Sequence, residues 1–170
     1  ETEFGQLPAT IAEATGGRLD GIVHSANCFT ALTPLDCQTV AAWVKQYRIN
    51  TVGAMGLTRA FLPMLMQSED ASVIFVGESH AAKPQAYWGG FGASKAALAY
   101  LAGSIADEWS RFEHLRANLL IPGAVNSPQR EQTHPGESKS ERRDIDEIMP
   151  DFIYWLSRES RGRNGETVYL

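Results

Sequence analysis

The sequence contains few of the residues from which metal centres and disulfide frameworks are built. Among 170 residues there are two cysteines and four histidines. Cys28 and Cys37 have no ligand-type spacing, and such a pair is more typical of reduced, packed thiols than of a disulfide. Zinc and similar ions need three or four convergent ligands, so we expect no metal site.

An excess of basic charge and long apolar runs are also lacking. Lysine and arginine together number 15 against 20 acidic residues, which gives a net charge of -5 at pH 7. Nucleic acid and anionic membrane surfaces both require a basic patch, so neither is expected as a partner. No apolar run reaches the roughly 18 to 20 residues that cross a bilayer, and we expect a cytoplasmic protein.

What is present is ordinary globular composition, with 44% hydrophobic and 21% charged residues. A chain of this length can bury one core, so residues 1–170 are predicted to form a single domain. The sequence opens on Glu1 and enters a helical pattern at once, and it closes on Val168-Tyr169-Leu170 inside a predicted strand. From these two ends we expect the domain to be part of a larger fold.

Strand and helix patterns alternate along the chain. Buried strands are predicted at residues 19–26, 71–77, 116–121 and from 166, because these runs are apolar on both faces. Helical periodicity is found at residues 3–16, 36–67 with a kink near Pro63, 90–112 and 144–160. No hairpin signal joins the strands, so the sequence predicts an α/β fold in which a parallel sheet has helices on both faces.

One long stretch, residues 127–143, is polar, contains two prolines and lacks periodicity. We call it the polar segment. Loops of this length in compact α/β domains are commonly either solvated connections or functional lids. Both interpretations, a solvated loop and a mobile lid, stay open at this stage.

Candidate site residues follow the predicted strands, because ligands bind beyond the carboxyl ends of the strands in an open parallel sheet. The first strand leads into His24-Ser25-Ala26-Asn27, the second into Gly77-Glu78-Ser79 and the third into Pro122-Gly123-Ala124-Val125. Lys95 stands four residues after Phe91, so their side chains share one face of the predicted helix.

Taken together, these motifs resemble the short-chain dehydrogenase/reductase family. The resemblance rests on the turn at residues 24–27, on Asn50 within a helix, on Phe91-x-x-x-Lys95 and on Pro122-Gly123. It covers essentially the whole chain and corresponds to the family's fourth to seventh strands. Trp88 and the stretches 148–150 and 154–156 are especially similar to the YciK-like oxidoreductase branch.

The resemblance implies a Rossmann-like three-layer α/β/α fold without the family's first three strands. It also implies NAD or NADP as cofactor, hydride transfer to or from a small carbonyl or alcohol, and a homodimer or homotetramer. The positions that match the catalytic set are Asn50, Glu78, Phe91 and Lys95. Those that match the cofactor-binding set are Ser25, Ala26, Asn27, Lys95, Pro122, Gly123, Val125 and Ser127.

Two of the four catalytic positions depart from the family pattern. Phe91 replaces the tyrosine that transfers the proton, and phenylalanine has no proton to transfer. Glu78 replaces the serine, and we expect its carboxylate to form an ion pair with Lys95. Neither Ser79 nor Tyr87 is expected to act as a substitute, because strand alternation and helical distance direct them elsewhere. The predicted enzyme is therefore impaired or inactive; the alternative is a non-catalytic structural or regulatory subunit.

A phosphate-binding glycine loop is missing as well. The run Gly89-Gly90-Phe91-Gly92 does not follow a strand with G-x-G-x-x-G spacing, so it does not match that motif. Since the family's pyrophosphate binds at that loop and its helix N-terminus, tight dinucleotide binding by this chain alone is not expected. In the strand order that the resemblance implies, the first predicted strand would also lie at an open edge of the sheet, and we expect further chain or a partner to cover it.

Overall fold

Four parallel strands form the frame of the protein, in a computed structural model that describes residues 2–170, with side chains described from residue 4 onward. Their spatial order is the order of the sequence. Val73 at the centre of the second strand pairs with Ile22 on one side and Ala117 on the other. The strands are β1 (Gly21–His24), β2 (Ala71–Val76), β3 (Leu115–Ile121) and β4 (Thr167–Tyr169).

Helices connect the strands and confirm the α/β class with a Rossmann-like sheet. The longest described helix, α6, follows β2 and returns the chain to β3. The helices are α1 (Thr2–Gly5), α2 (Leu7–Thr15), α3 (Val40–Tyr47), α4 (Gly53–Leu65), α5 (Ser79–Ala82), α6 (Gly89–Trp109), α7 (Pro128–Thr133) and α8 (Ile145–Leu156). Short 3₁₀ turns occupy Leu35–Cys37, Lys139–Glu141 and Arg158–Ser160.

Several predicted helix boundaries are wrong, each for a local reason. The helix predicted at 3–16 is divided at Gln6, after which Pro8 stands in the first turn of α2, where a missing N–H costs little. The helix predicted at 36–67 starts later, because the Thr39 side chain caps α3, and it contains a π-helical turn at Arg48–Val52. Pro63 lies near the end of α4, and α8 ends at Leu156.

Apolar side chains cover both faces of the sheet. On one face, α4 and α6 pack on the strands through buried residues such as Leu65, Phe75 and Leu98. On the other face, Ile74 and Leu120 pack against Trp155 of α8. Burying one large apolar side chain completely contributes roughly 1.5–3 kcal/mol, so these two layers hold the strand ends in fixed positions.

The polar segment contains regular structure, although its sequence lacks periodicity. Ser127 caps α7 by accepting a hydrogen bond from the backbone N–H of Arg130 at 3.2 Å. Val125 and Arg143 form an isolated parallel bridge where the segment begins and ends. Glu137 is bound by two arginines within the segment. The polar segment is thus a structured excursion from the carboxyl end of β3.

β1 lies at one edge of the described sheet, where its pairing partner is β2. Val23 in this strand has 39% of its surface exposed. The predicted edge position of the first strand is confirmed within the described residues, while a covering segment or partner stays a prediction.

Candidate active site

A cavity of about 530 Å³ lies beyond the carboxyl ends of β1, β2 and β3. Its size is within the range of small-molecule and cofactor sites. Because the three strands are parallel, the residues that follow each of them meet at the same edge of the sheet. Apolar side chains from α8 close the side of the cavity opposite the strands, among them Ile148, Met149, Phe152 and Leu156.

Seven of the eight predicted cofactor-binding residues line this cavity. They are Ser25, Asn27, Lys95, Pro122, Gly123, Val125 and Ser127. Asn27 also donates a hydrogen bond to Gln129 of α7, which joins the turn after β1 to the polar segment. Ala26 is the exception, because alternation along the backbone turns it toward a separate depression that it shares with His24 and Asn50.

Phe91 lines the cavity from the first turn of α6, where a glycine-rich run is followed by small helix-forming residues. Only 3% of its surface is exposed. The ring packs edge-on against Phe29, with centroids 5.3 Å apart, and lies 5.9 Å from the ring of Trp88. An aromatic surface without a hydroxyl group therefore stands where the resemblance places the proton donor.

Lys95 lies one turn further along α6 and its amine also lines the cavity. Its Nζ donates a hydrogen bond of 2.9 Å to the backbone carbonyl of Val76 and stands 5.9 Å from the centre of the Phe91 ring. Burial lowers the pKa of Lys95 to about 8, and the nearby negative charge of Glu78 opposes part of that decrease. The amine is therefore fixed in position and titrates close to neutral pH.

The predicted ion pair between Glu78 and Lys95 is wrong. The Glu78 carboxylate instead accepts hydrogen bonds from the Ser79 hydroxyl at 2.9 Å and from Nδ1 of His80 at 2.8 Å. Both partners lie within two residues of Glu78, so they reach its carboxylate without a long-range arrangement. Burial raises the pKa of Glu78, but these hydrogen bonds outweigh it, and the pKa lies below its ordinary value.

Asn50 is buried in the π-helical turn and lies outside the cavity lining. Its Oδ1 accepts from the backbone N–H of Cys28 at 2.6 Å, and its Nδ2 donates to the Cys28 carbonyl at 3.0 Å and to the Ser94 hydroxyl at 2.9 Å. The side chain thereby ties the loop after β1 to α6. Its predicted catalytic role stays a prediction.

Neither of the two substitutes considered for the missing groups lines the cavity. The Ser79 hydroxyl is directed at Glu78. Tyr87 precedes α6 with a φ of 74°, is 56% exposed and lines a different depression. Among the residues that the structure describes, the cavity therefore has no tyrosine or cysteine in its lining.

Three contributors to the site were missed by sequence reasoning. Trp88 entered the sequence analysis only through its similarity to the YciK-like branch, but it lines the cavity while stacking on His80 with ring centroids 3.7 Å apart. Arg130 and the apolar face of α8 also line the cavity. The only sequence signal for Arg130 was its place in a segment considered as a lid.

Residues 2–170 contain neither a membrane-spanning helix nor a cluster of metal-ligating side chains. None of the described helices combines the length and apolarity needed to cross a membrane. Within the same residues, no three histidine, cysteine, aspartate or glutamate side chains come together as a potential metal site.

A parallel sheet covered on both faces, with a cavity beyond its carboxyl edge, defines a Rossmann-like α/β protein. The family model for short chain dehydrogenases matches residues 1–138, and the chain belongs to this family. The structural layout and the sequence motifs thus lead to the same assignment.

Relatives and solved structures agree with this assignment. The chain is 30% identical over 150 residues to the uncharacterized oxidoreductase YciK of Escherichia coli strain K12, covering 88% of this chain and 59% of the relative. A Pseudomonas syringae structure assigned as a short chain dehydrogenase has a TM-score of 0.93 at 34% identity, covering 99% of this chain and 68% of that chain. The expected similarity to the YciK-like branch is confirmed.

A third comparison concerns a structure with a bound nucleotide. A protein of Escherichia coli CFT073, assigned as a short chain dehydrogenase and solved in complex with NADPH, has a TM-score of 0.92 at 29% identity, covering 99% of this chain and 69% of that chain. The present chain thus spans 59% of the length of the curated YciK relative and about two thirds of these solved chains.

The residues at the cavity fit the nicotinamide end of a dinucleotide. An ammonium group has three hydrogen-bond donors. Lys95 donates one of them to the Val76 carbonyl, so two are available for ribose hydroxyls. Gly123 adopts a φ of +74° and presents backbone without a side chain at the cavity wall. Donors and an open backbone surface therefore lie side by side in one cavity.

Proposed function

We propose that this chain forms the nicotinamide and substrate part of an NAD(P)-binding oxidoreductase that acts on a small carbonyl or alcohol. The observation that supports it is the convergence of Ser25, Asn27, Lys95 and the Pro122-Gly123 turn on one cavity. NADPH in the similar Escherichia coli structure supports the choice of cofactor. When bound, the nicotinamide would supply or accept the hydride.

The chain's own residues would then bind and orient the two reactants. Lys95 would hold the ribose with the donors that Val76 leaves free. The apolar side chains of α8 and Trp88 would exclude water from the reacting groups, which strengthens electrostatic interactions in the cavity.

We further propose that proton transfer in this site is impaired. Phe91 has no proton to give, and a lysine with a pKa of about 8 has no phenol beside it to activate. The hydrogen bonds that lower the pKa of Glu78 keep it ionised near neutral pH, so it repels an alkoxide forming in the cavity. The same two residues favour the alternative function, a non-catalytic subunit that retains the family's fold.

The experiment is nucleotide titration of the full-length protein by calorimetry, followed by assays with a panel of aldehydes and ketones. We expect NADPH to bind and the parent protein to turn over slowly or not at all. The double variant Phe91→Tyr with Glu78→Ser restores a phenol one turn from Lys95 and removes the opposing charge, so we expect measurable cofactor oxidation from it.

Phe112→Tyr is the matched control, because it adds the same hydroxyl outside the cavity lining. Activity of the parent equal to that of the double variant contradicts the proposed impairment. If neither protein binds nucleotide, the oxidoreductase proposal fails and the structural subunit is favoured.

The proposal includes a homodimer or homotetramer in the cytoplasm. Packed helices α3 and α6 support it, since they leave Val40 81%, Val44 59% and Tyr100 82% exposed. Exposed apolar groups of this kind on neighbouring helices are typical of interfaces. Sedimentation velocity of the full-length parent and of Val44→Lys tests this: a parent that sediments as a monomer contradicts it.

A further inference from the structure

Arg130 forms part of the cavity wall. Its Nε donates to Oε2 of Glu137 at 2.7 Å, and its Nη2 donates to Oε1 of the same carboxylate. Nη1 has no hydrogen-bond partner among the described residues. One edge of a planar, permanently charged fork is therefore held by the protein, while donors on the remaining nitrogen are available to a ligand.

Glu137 is itself held from the other side, by Arg142. Nε of Arg142 donates to Glu137 Oε2 at 2.9 Å, and Nη2 donates to the backbone carbonyls of His134 and Glu137. Hydrogen bonds from Arg130 lower the pKa of Glu137 to about 2, so the carboxylate stays ionised. Two arginines share one carboxylate, and this cluster keeps Arg130 in a fixed orientation with one positive charge in excess.

Besides Glu137, the charge of Glu78 also raises the pKa of Arg130, but it contributes less than Glu137 does. Nη1 of Arg142 is buried without a hydrogen-bond partner in the described part of the chain. Its other nitrogens are bound within the cluster and Arg142 does not line the cavity, so Arg142 orients Glu137 and leaves contact with a ligand to Arg130. Burial and then the positive charge of Arg130 lower the pKa of His134, so this histidine adds a neutral ring and no further cation near neutral pH.

The rest of the cavity determines what an anion would be attached to. Trp88, Met149 and Phe152 provide an apolar wall. Glu78 also lines the cavity, but its carboxylate is occupied by Ser79 and His80. Two cations, Lys95 and Arg130, thus face one carboxylate across a largely apolar space. This combination suits an apolar molecule that carries a negative group.

We propose that Arg130 is the anion-recognition residue of this cavity and binds an anionic oxygen group of its ligand. The group is either the carboxylate of an apolar carbonyl substrate or a phosphate of the dinucleotide. The assignment of the ligand as a carbonyl compound or a dinucleotide rests on the proposed function. Binding of the anion by Arg130 rests on the cluster and the cavity alone.

The test compares the full-length parent with Arg130→Gln by calorimetry, using three probes. Phenylpyruvate carries an apolar ring, a carbonyl and a carboxylate; its methyl ester lacks the charge; NADPH carries the phosphates. A carboxylate site predicts at least tenfold weaker binding of phenylpyruvate to the variant, with the ester unchanged. A phosphate site predicts at least tenfold weaker binding of NADPH.

Two further variants keep these outcomes interpretable. Arg161→Gln removes an exposed arginine outside the cavity and is expected to bind all probes like the parent. Arg130→Lys keeps the charge but loses the fork, so it should retain part of the lost affinity. Thermal denaturation of each variant separates a binding effect from a folding effect.

The results distinguish this inference from the proposed function. Unchanged affinity of a folded Arg130→Gln variant for all three probes overturns the inference, even if NADPH binds well. A parent that fails to bind NADPH but binds phenylpyruvate through Arg130 refutes the proposed cofactor and supports the anion site. If the parent binds neither anionic probe, the inference is overturned together with the proposed cofactor.

Discussion

The Nζ atom of Lys95 and the backbone carbonyl of Val76 are joined by a hydrogen bond of 2.9 Å. This contact couples the second turn of α6 to the last residue of β2. It also explains why the amine does not pair with Glu78, whose carboxylate is occupied by its own neighbours. A buried lysine with one neutral partner has consequences for stability that can be measured.

Lys95 should make stability depend on pH in the alkaline range. Its pKa is about 8 in the folded protein and 10.5 when exposed, so between these values the unfolded chain holds a proton that the folded one has released. Stability of the parent, measured by urea denaturation relative to Lys95→Met, should therefore increase by up to ~3 kcal/mol from pH 8 to 10.5. Lys83→Met, at an exposed site, is the control for replacing a lysine by methionine.

His24 should make the stability of the protein depend on pH in the acidic range. Its ring is buried, donates to or accepts from the Thr58 hydroxyl at 2.8 Å, and stacks on Phe75. Burial lowers the pKa of His24 to about 4 from 6.5, so the unfolded state binds more protons between those values and stability falls as the pH decreases. We expect His24→Gln to remove up to ~3 kcal/mol of this acid dependence, and an unchanged acid profile would contradict the assignment.

Arg116 and Asp70 form a buried ion pair near the amino ends of β3 and β2, with side chains 3% and 4% exposed. Arg116 also donates to the Ser160 hydroxyl and to the carbonyl of Ser157. Arg116→Met leaves a buried carboxylate unpaired, and chemical denaturation should show a loss of about 3–5 kcal/mol.

The exposed pair of Arg158 and Glu69 provides the comparison for that measurement. Its side chains are 74% and 81% exposed, so Arg158→Met should change stability by less than about 1 kcal/mol. Equal effects of Arg116→Met and Arg158→Met would show that burial does not determine the strength of these pairs.

Gly123 is the residue at the cavity wall whose backbone most restricts substitution. At a φ of +74° a β-carbon is strained, so Gly123→Ala should destabilise the protein by roughly 1–2 kcal/mol in thermal or chemical denaturation. Gly136→Ala is the matched control, since nothing lies within 4 Å of its added β-carbon. A loss of similar size in both variants would argue against strain as the cause.

Much of the fold could be predicted because its determinants are local. The strand β2 is recognisable from six consecutive residues that suit a buried strand, and the parallel arrangement places the residues after each strand at one edge. Gly16 ends α2 in the left-handed conformation, with a φ of 67°, which is a common glycine role at a helix C-terminus. Each of these features depends on residues adjacent in the chain.

The other features of the site could not be predicted, because they depend on contacts between distant segments or on several possible partners for one side chain. Glu78 had a distant candidate partner in Lys95, but His80 reaches it at 2.8 Å from two residues away. The π-helical turn holds Asn50, whose side chain makes three hydrogen bonds to Cys28 and Ser94, residues distant in the chain. The position of Arg130 in the cavity depends on the fold of the polar segment, which the sequence pattern does not predict.

The backbone closes the polar segment where it leaves and rejoins the domain. Asn126 donates to the carbonyl of Arg143 and Arg143 donates to that of Ala124, both at 2.9 Å. The two ends are therefore adjacent, so the intervening residues could be replaced as one unit. Replacing the polar segment with the corresponding stretch of another family member would change one wall of the cavity and leave the sheet, α6 and Lys95 in place.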